Sequence, residues 1–529
     1  MKTKTLLWPL AALLISLAGQ SLPAQVPQMI NCQGRVAVGT TNFDSPPNGL
    51  FKFALVNAAG TTTYWSNDGT SVNGSQPTAA VALTVRAESN ADLTGLTALI
   101  ARLGPGNQPT GANVEVGQVE GSDGTGWAPD PDSPGFAGKT FTMVSPNPVS
   151  SVHATGVGQY FYGNTTSISP GITGIDCYEV VHWAYEGFLS VSGTAPPGLV
   201  TLDVFNNSWI GSGPSSNMVL RKSDYAVNAQ GLIFCNGVNN GIGPLDYPLL
   251  SHMFNGIAVG RNTGQHHAGD TGLGMDGPGR MKPDIVAPGN YTSQSTPLVA
   301  GAAALMIQTA RTHPSLINDP NAQRPEVIRA VLMAGAEHRT GWTNNAVAIG
   351  PARGTTTQPL DALYGADELN VNHAHWILTG GEQLPATAPA QAVYAPHAGW
   401  ALVDIPSGAS RWWRFHVGST KPYVSILAVW HRRVADDFAS YTITGADLEL
   451  WRIDPVNGPT TLVGALGLPY FAGGNVQSTS PDDNVEHLYL SGLQPGDYLL
   501  ELRRATDRLP SWNVAVAWEL ACLAGPVPP

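Results

Sequence analysis

Charged side chains are scarce in this chain of 529 residues, since Asp, Glu, Lys and Arg together make up only 12% of it. The 26 basic residues are outnumbered by 38 acidic ones, which gives a formal net charge of −12, and no cluster of Lys and Arg offsets the excess. Nucleic acids are bound by basic surfaces, so this balance argues against a nucleic-acid partner. So few charges also argue against a coiled coil or a solvated tail.

Cysteine occurs only four times. Cys32, Cys177, Cys235 and Cys522 lie far apart and include no C-x-x-C pair, so they predict neither a zinc site nor a disulfide framework. In an exported protein they would permit one or two disulfides. Cys235 ends the apolar run 232–235, where we expect it to act as a small buried hydrophobic residue.

Long apolar runs are also missing, with one exception at the N terminus. Lys2 and Lys4 precede an apolar stretch over 6–18, and Ala24 is a small residue suited to cleavage. This pattern predicts a signal peptide over residues 1–24. The apolar stretch is too short to cross a bilayer, and no other segment approaches that length. The expected product is a secreted protein without a membrane span.

Glycine and proline, by contrast, are abundant, with 60 and 42 copies, as is typical of a compact, loop-rich extracellular protein. The length predicts two or three domains, because a single core seldom serves more than about 300 residues. We assign a signal peptide (1–24), a small β-rich N-terminal module (25–88), an α/β domain (89–385) and a C-terminal β-sandwich (395–525). Alternating strands at 51–55 and 81–85 favour the β-rich module over a pro-segment.

Strands and helices alternate between about 110 and 375. A first helix is predicted where Leu96, Leu99, Ile100 and Leu103 recur at helical spacing. Apolar strands are predicted at 114–119, 202–205, 232–235 and 257–259, with helices near 153–163, 176–189, 297–311 and 325–336. Such alternation predicts a parallel sheet covered by helices on both faces.

Beyond about residue 395 the apolar residues recur every second position. Trp413, Phe415 and Val417 alternate, as do the residues of 448–450 and 514–518, and a turn is expected at 494–497. Several short strands at this spacing predict a β-sandwich.

Ser293 lies at the most informative junction of the chain. A buried strand, Lys282-Pro-Asp-Ile-Val-Ala-Pro-Gly289, is followed by Asn-Tyr-Thr-Ser293-Gln-Ser-Thr-Pro297 and an alanine-rich helix. Pro297 suits a first helical turn. A serine at a helix N terminus lies where free amides and the helix dipole favour negative charge, as a nucleophile requires. A cluster of ordinary capping residues is the alternative on local grounds.

This junction resembles the serine motif of the subtilisin-like serine proteases, in which a PDIVAPG strand precedes GTSMATPHVAGAAAL. The resemblance implies a subtilisin-like fold, with the peptidase domain at 89–385 and Ser293 as the nucleophile. It also implies protein or peptide substrates. Tyr291 departs from the pattern, because the family has glycine there.

The resemblance also supplies a base and an acid. His153-Ala-Thr-Gly-Val-Gly-Gln-Tyr-Phe-Tyr-Gly163 is similar to the family's HGTHVAGIIAG helix and makes His153 the base. The strand ending at Glu120 is similar to the family's first strand, which ends in aspartate. Glu120 is therefore the expected acid, with Asp123 as its rival. A glutamate can accept a hydrogen bond from the imidazole N–H as an aspartate does.

The remaining site residues are implied by two further motifs. The run 232–241 is similar to the family's VVAAAGNEG strand and makes Asn239 the oxyanion donor, with Asn240 and Asn236 as alternatives. The run 204–211 is similar to the strand that pairs with substrate, which makes Ser208, Trp209 and Gly211 candidate substrate-binding residues.

No metal site is assigned. His266, His267 and Asp270 lie close together but in a glycine-rich loop without regular ligand spacing. Acidic pairs at 130/132 and 482/483 are candidates for structural calcium, although solvated turns are the simpler interpretation.

The sequence thus predicts a secreted serine endopeptidase that uses a Ser-His-Glu triad and an acyl-enzyme. The alternative is a catalytically decayed scaffold that acts as a surface or carbohydrate-binding protein, with a polysaccharide or surface ligand for the C-terminal domain. Four departures from the family's motifs motivate it, at Glu120, Ala154, Val238 and Tyr291. The order acid, histidine, asparagine, serine favours the enzyme.

Overall fold

The computed structural model describes residues 89–211, 216–245, 249–272, 276–454, 458–462 and 470–521, with four short strands nearer the N terminus. The chain divides into two compact units, Met1–Ala87 and Glu88–Pro529. In the first unit, β1 (Ala37–Val38) pairs with β2 (Thr41–Asn42), and β3 (Ala54–Val56) pairs with β4 (Thr63–Ser66), both antiparallel. The predicted signal peptide, Cys32, Cys522 and the strand at 81–85 lie outside the described residues.

The second unit begins with two helices and an α/β arrangement. Its helices are α1 (Asn90–Leu93), α2 (Leu96–Leu103), α3 (Val152–Phe161), α4 (Val180–His182), α5 (Ser216–Gln230), α6 (Thr292–Thr312), α7 (Pro325–Ala334) and α8 (Val371–Thr379). Its first strands are β5 (Val116–Glu120), β6 (Thr140–Met143), β7 (Gly174–Glu179), β8 (Val204–Asn207), β9 (Ile233–Gly237), β10 (Ile257–Arg261), β11 (Gly269–Asp270), β12 (Met281–Lys282), β13 (Ile285–Ala287) and β14 (Thr355–Thr356).

Seven of these strands form one parallel sheet in the order β13-β10-β9-β8-β5-β7-β6. Every residue of β5, β8 and β9 is buried, as expected of strands covered on both faces. On one face, Val116 and Val204 pack with the apolar residues of α6. On the other, Phe205 and Phe234 pack with α5 and Trp183. The predicted parallel sheet with helices on both faces is therefore confirmed.

One predicted helix is wrong. The segment predicted as helix 176–189 begins inside β7, and only the short α4 and one turn of π-helix at 183–187 follow. Cys177 and Tyr178 are both buried at neighbouring positions of β7, on opposite faces of the strand, and this spacing imitates a helix. The helix α5 was not predicted, because buried Lys222 and Asp224 interrupt its apolar stripe.

The helix that carries Ser293 is longer than expected. It begins at Thr292, five residues before Pro297, which therefore lies inside the helix and not in its first turn. Proline has no amide hydrogen, so the carbonyl of Ser293 lacks its usual donor four residues on. The predicted helix over 96–103 and those near 153–163 and 325–336 are confirmed within two residues.

The C-terminal strands form two sheets that share an apolar core, apart from the separate antiparallel pair Arg433–Val434 and Tyr441–Thr442. They are β15 (Ala398–Ile405), β16 (Ser410–Val417), β17 (Lys421–Trp430), β18 (Arg433–Val434), β19 (Tyr441–Thr442), β20 (Ala446–Asp454), β21 (Gly458–Leu462), β22 (Gly473–Gly474), β23 (Gln477–Ser478), β24 (Val485–Leu493), β25 (Gly496–Arg504) and β26 (Trp512–Leu520).

The sheet orders are β14-β23-β20-β25-β16 and β15-β26-β17-β24-β22. Trp413 and Phe415 of the first sheet pack in one cluster with Val516 and Trp518 of the second. The arrangement is the expected sandwich, antiparallel except for the β14–β23 pair. The turn predicted at 494–497 joins β24 to β25.

The sandwich and the α/β part belong to one unit, and α7 joins them because it packs against α6 and α8 and also against β15, β17 and β26 of the sandwich. The buried guanidinium of Arg432 also donates to Asp224 of α5, at 2.6 Å, and to Asp276, at 2.9 Å. None of the described helices is long and apolar enough to cross a membrane.

Candidate active site

The candidate residues collect at the carboxyl edge of the parallel sheet. Glu120 is the last residue of β5, and Asn239 follows the end of β9. The N-terminal turn of α6 packs against the end of β9, where a Cβ on Gly237 would lie 3.0 Å from Oγ1 of Thr296. This edge is where ligands bind in open α/β sheets.

The structure brings the predicted base and acid together. Nδ1 of His153 donates to Oε2 of Glu120 across 2.9 Å. The His153 side chain is 41% exposed, whereas that of Glu120 is 1% exposed. The hydrogen bond to Glu120 raises the pKa of His153, while burial raises the pKa of Glu120 against the opposing effect of His153. A base with one nitrogen fixed and its ring accessible can take a proton at the other nitrogen.

Asp123, the rival acid, has a different role. Its carboxylate accepts hydrogen bonds from Ser151, at 2.6 Å, and from Thr125. These hydrogen bonds lower the pKa of Asp123. Ser151 in turn caps α3 by accepting from the amide of Ala154. Asp123 therefore fixes the start of the helix that carries His153.

Glu120 has a second partner that the sequence reasoning missed. Nε2 of Gln118 donates to Oε1 of Glu120, at 2.9 Å, and to the carbonyl of Ala154, at 2.8 Å. The hydroxyl of Tyr162 donates to Oε1 of Gln118 across 2.5 Å. All three side chains are buried. The available signal was a glutamine two residues before the acid, on the same face of an otherwise apolar strand.

Ser293 is the second residue of α6, a helix that packs against α3. The amide of a residue in this position has no acceptor within the helix, because intrahelical bonds run to the residue four positions before. Ser293 is half-buried. Tyr291, which precedes the helix, has φ −138° and ψ 153°. That backbone is ordinary for any residue, so the family's glycine is not needed here.

The three candidate asparagines have different hydrogen-bond partners. Oδ1 of Asn240 accepts from the amide of Thr292 across 2.8 Å and from its hydroxyl across 3.3 Å. Asn239 lies one residue away, with Nδ2 3.5 Å from Nε2 of His267. Asn236 is buried and bonds Asn207 and the carbonyl of Leu250. The structure thus joins Asn240, the alternative, to the turn that carries Ser293, and places the side chain of Asn239 elsewhere.

The three candidate substrate-binding residues follow the end of β8. Ser208 is buried and accepts a hydrogen bond from Asn206. Trp209 is half-buried, donates to Oδ1 of Asn207 and lies edge-on to Trp183, with ring centroids 6.3 Å apart. The carbonyl of Gly211 accepts from the amide of residue 249. Trp209 is therefore in part a packing residue.

Of the two histidines considered as metal ligands, His266 is hydrogen-bonded at both ring nitrogens. The amide of Arg261 donates to Nδ1 of His266, and Nε2 of His266 donates to the carbonyl of Leu363. Asp483, one of the calcium candidates, is half-buried and accepts from the amide of Met281 and the hydroxyl of Ser480. Among the described residues, no group of three or more His, Cys, Asp or Glu could hold a metal ion. Cys177 and Cys235 are free and buried in β7 and β9.

Residues 200–365 match the model of the subtilase family, Peptidase_S8. This segment contains Ser293, the three candidate asparagines and Ser208, but it excludes Glu120 and His153. No curated protein matches the chain.

Several solved structures align with the chain at low similarity. The serine protease of Aeromonas sobria covers 77% of this chain and 88% of its own, with 14% identity and a TM-score of 0.33. For the proteases of Pseudoalteromonas arctica PAMC 21717 the shares are 53% and 93%, with 14% identity and a TM-score of 0.33. A cold adapted subtilisin-like serine proteinase gives 50% and 90%, with 18% identity and a TM-score of 0.31.

Proposed function

Because this chain carries a subtilase-family domain, we propose that it is a serine endopeptidase whose triad consists of Ser293, His153 and Glu120. The observation that carries the proposal is the 2.9 Å hydrogen bond between the accessible imidazole of His153 and the buried carboxylate of Glu120. A buried acid paired with a half-exposed histidine, beside a helix that carries a serine in its first turn, is the arrangement that acyl transfer requires.

The proposed reaction uses each group in turn. Nε2 of His153 takes the hydroxyl proton of Ser293 as the oxygen attacks the peptide carbonyl. Glu120 holds Nδ1 and stabilises the imidazolium that forms. The imidazolium gives its proton to the leaving amine as the C–N bond breaks, which leaves an ester on Ser293. Water, deprotonated by the same imidazole, then hydrolyses the ester and releases the acid product.

Two donors are proposed for the oxyanion. One is the amide of Ser293, at the start of α6. The other is Nδ2 of Asn240, in preference to Asn239, because Oδ1 of Asn240 is bonded to Thr292 next to the nucleophile. With Oδ1 held in this way, the group that Asn240 offers to a substrate is its amide nitrogen.

We propose that the substrate is an extended peptide that runs beside the segment after β8, where Ser208, Trp209 and Gly211 lie. A strand added there gains main-chain hydrogen bonds, and its alternate side chains meet the wall that includes Trp209. Secretion through the signal peptide at 1–24 is part of the same proposal. Calcium stays a candidate for the acidic loops, and no polysaccharide ligand is proposed.

The test is labelling by a fluorophosphonate probe, followed by hydrolysis of casein. The wild-type protein should form one covalent adduct at Ser293, and His153→Ala should abolish it without unfolding the protein. Absence of labelling and of hydrolysis by correctly folded protein across the pH range would overturn the proposal. That outcome would favour the decayed scaffold, which the intact His153–Glu120 pair disfavours.

A further inference from the structure

A glutamate at the position of the acid is less firmly held than an aspartate would be. Glutamate has one more methylene group and one more rotatable bond than aspartate, so its carboxylate can swing away from the histidine. Misplacement of a catalytic group by about 1 Å can cost about 10²-fold in rate. Some other contact must therefore fix the carboxylate of Glu120 at the position where His153 needs it.

Building on the proposed function, we infer that Gln118, held in place by Tyr162, is the positioning residue that adapts this site to a glutamate. Gln118 and Glu120 are two residues apart on β5 and so lie on one face. The carboxylate is held at both oxygens, with Oε1 bonded to Gln118 and Oε2 bonded to His153. Rotation about the last side-chain bond would break one contact or both.

Gln118 also fixes the position of the base. The second hydrogen bond of its Nε2 goes to the carbonyl of Ala154, the neighbour of His153 on α3. The two protons of one amide nitrogen thereby tie the acid and the backbone of the base to each other. The His153–Glu120 hydrogen bond depends on the distance between this carboxylate and the backbone that carries His153.

Tyr162 holds the amide oxygen of the glutamine, because its hydroxyl donates to Oε1 of Gln118. A flipped amide would turn its oxygen toward two other acceptors, the carboxylate of Glu120 and the carbonyl of Ala154. Such a flip is costly in a buried site because both hydrogen bonds would be lost. Gly158 makes room for this hydroxyl, since a Cβ there would lie 2.4 Å from the oxygen of Tyr162. Gly156, by contrast, faces open space.

The charges that face Glu120 leave this network undisturbed near neutral pH. His153 and Asp123 are the titrating neighbours that act on Glu120. Glu120 in turn acts on Tyr162 and on Cys177 of β7, and burial raises the pKa of both groups, so they stay uncharged. Gln118 is neutral at every pH. Its contribution is therefore geometric, together with the stabilisation of the negative charge on Glu120.

The decisive variant is Gln118→Met, which keeps length and volume but loses all three hydrogen bonds of the Gln118 amide. We expect kcat to fall about 10²-fold with KM little changed, because the carboxylate is no longer held. The acidic limb of the kcat/KM profile should move to lower pH, since a loosely held Glu120 supports the protonated imidazole less. Tyr162→Phe should give the same changes at about a tenfold loss of kcat.

The control is Ser169→Ala, which removes a buried hydroxyl bonded to the carbonyl of Phe161 at the end of α3, with no link to Glu120. It should reduce thermal stability without moving the pH profile. If Gln118→Met does not fold, the double variant with Tyr162→Phe removes the stranded hydroxyl as well and serves in its place.

Titration of His153 by NMR separates this inference from the proposed function. A lowered His153 pKa in Gln118→Met supports the positioning role even if the wild-type protein proves inactive, which would refute only the peptidase. An active wild type with an unchanged kcat and an unchanged His153 pKa in Gln118→Met would overturn the inference.

Discussion

The two halves of the candidate site are built in different ways. Ser293 and Asn240 lie inside the segment that matches the subtilase family, and both are placed by backbone: Ser293 by the start of α6, and Asn240 by its bonds to Thr292. Glu120 lies outside that segment and is placed by a buried side-chain network. Backbone placement needs little from neighbouring side chains, whereas a network must change as a set when one member changes.

The nucleophile half should show the largest effect. Ser293→Ala should lower kcat by about 10⁴-fold or more, because no other group can form the ester. Ser295→Ala is a matched control two residues on, whose hydroxyl bonds the carbonyls of Ala287 and Pro288. It should lower thermal stability and keep fluorophosphonate labelling. Equal loss of labelling in both variants would remove the special role of Ser293.

The acid half should come next. Glu120→Gln should lower kcat by about 10²- to 10⁴-fold, since a neutral amide cannot stabilise the imidazolium. Asp123→Asn changes a carboxylate three residues away that accepts from Ser151, the residue that caps α3, whereas the carboxylate bonded to His153 is that of Glu120. Its loss of kcat should be at least tenfold smaller. A larger loss in Asp123→Asn would make Asp123 the acid and break the comparison.

Substitution of two neighbouring asparagines tests which of them donates to the oxyanion. Asn240→Ala should lower kcat by about 10²- to 10³-fold with little change in KM, as expected when one oxyanion donor is lost. Asn239→Ala should leave kcat within about threefold, because its side chain faces His267. Steady-state kinetics on one peptide substrate measure both, and the reverse ranking would return the role to Asn239.

The pH dependence gives the smallest expected effect. The base must be neutral to act, and the hydrogen bond to Glu120 raises the pKa of His153. Activity should therefore be complete above the raised pKa and fall as the pH drops through it, with the acidic limb of kcat/KM above about pH 6.5, the ordinary histidine value. A limb well below that value in the wild-type protein would mean that Glu120 does not act on His153.

Much of the fold could be predicted because the spacing of apolar residues indicates both the parallel sheet and the sandwich. The helix over 96–103 has an apolar stripe, and the four apolar positions that predicted it all lie within α2. The strand β7 was mistaken for a helix, because its neighbouring residues Cys177 and Tyr178 are both apolar and buried and so break the alternation that identifies a strand.

The site was less predictable where loop register or buried polar contacts decide the outcome. The motif predicts Asn239 as the oxyanion donor, whereas the contacts of the loop after β9 led us to propose Asn240. The carbonyl of Asn239 accepts from the amide of His267, and Oδ1 of Asn240 accepts from the amide of Thr292. The spacing of apolar residues in the sequence does not reveal how such a loop is positioned. Nor could the sequence show that Tyr162 lies against Gln118, since 44 residues separate them.

The central claim is that Glu120, a residue outside the family match, is the acid that orients His153. The direct test is the NMR titration of His153 in the wild-type protein and in Glu120→Gln, with folding checked by the remaining histidine signals. We predict a His153 pKa above about 6.5 in the wild-type protein and a lower one in the variant. The same His153 pKa in both proteins would contradict the account.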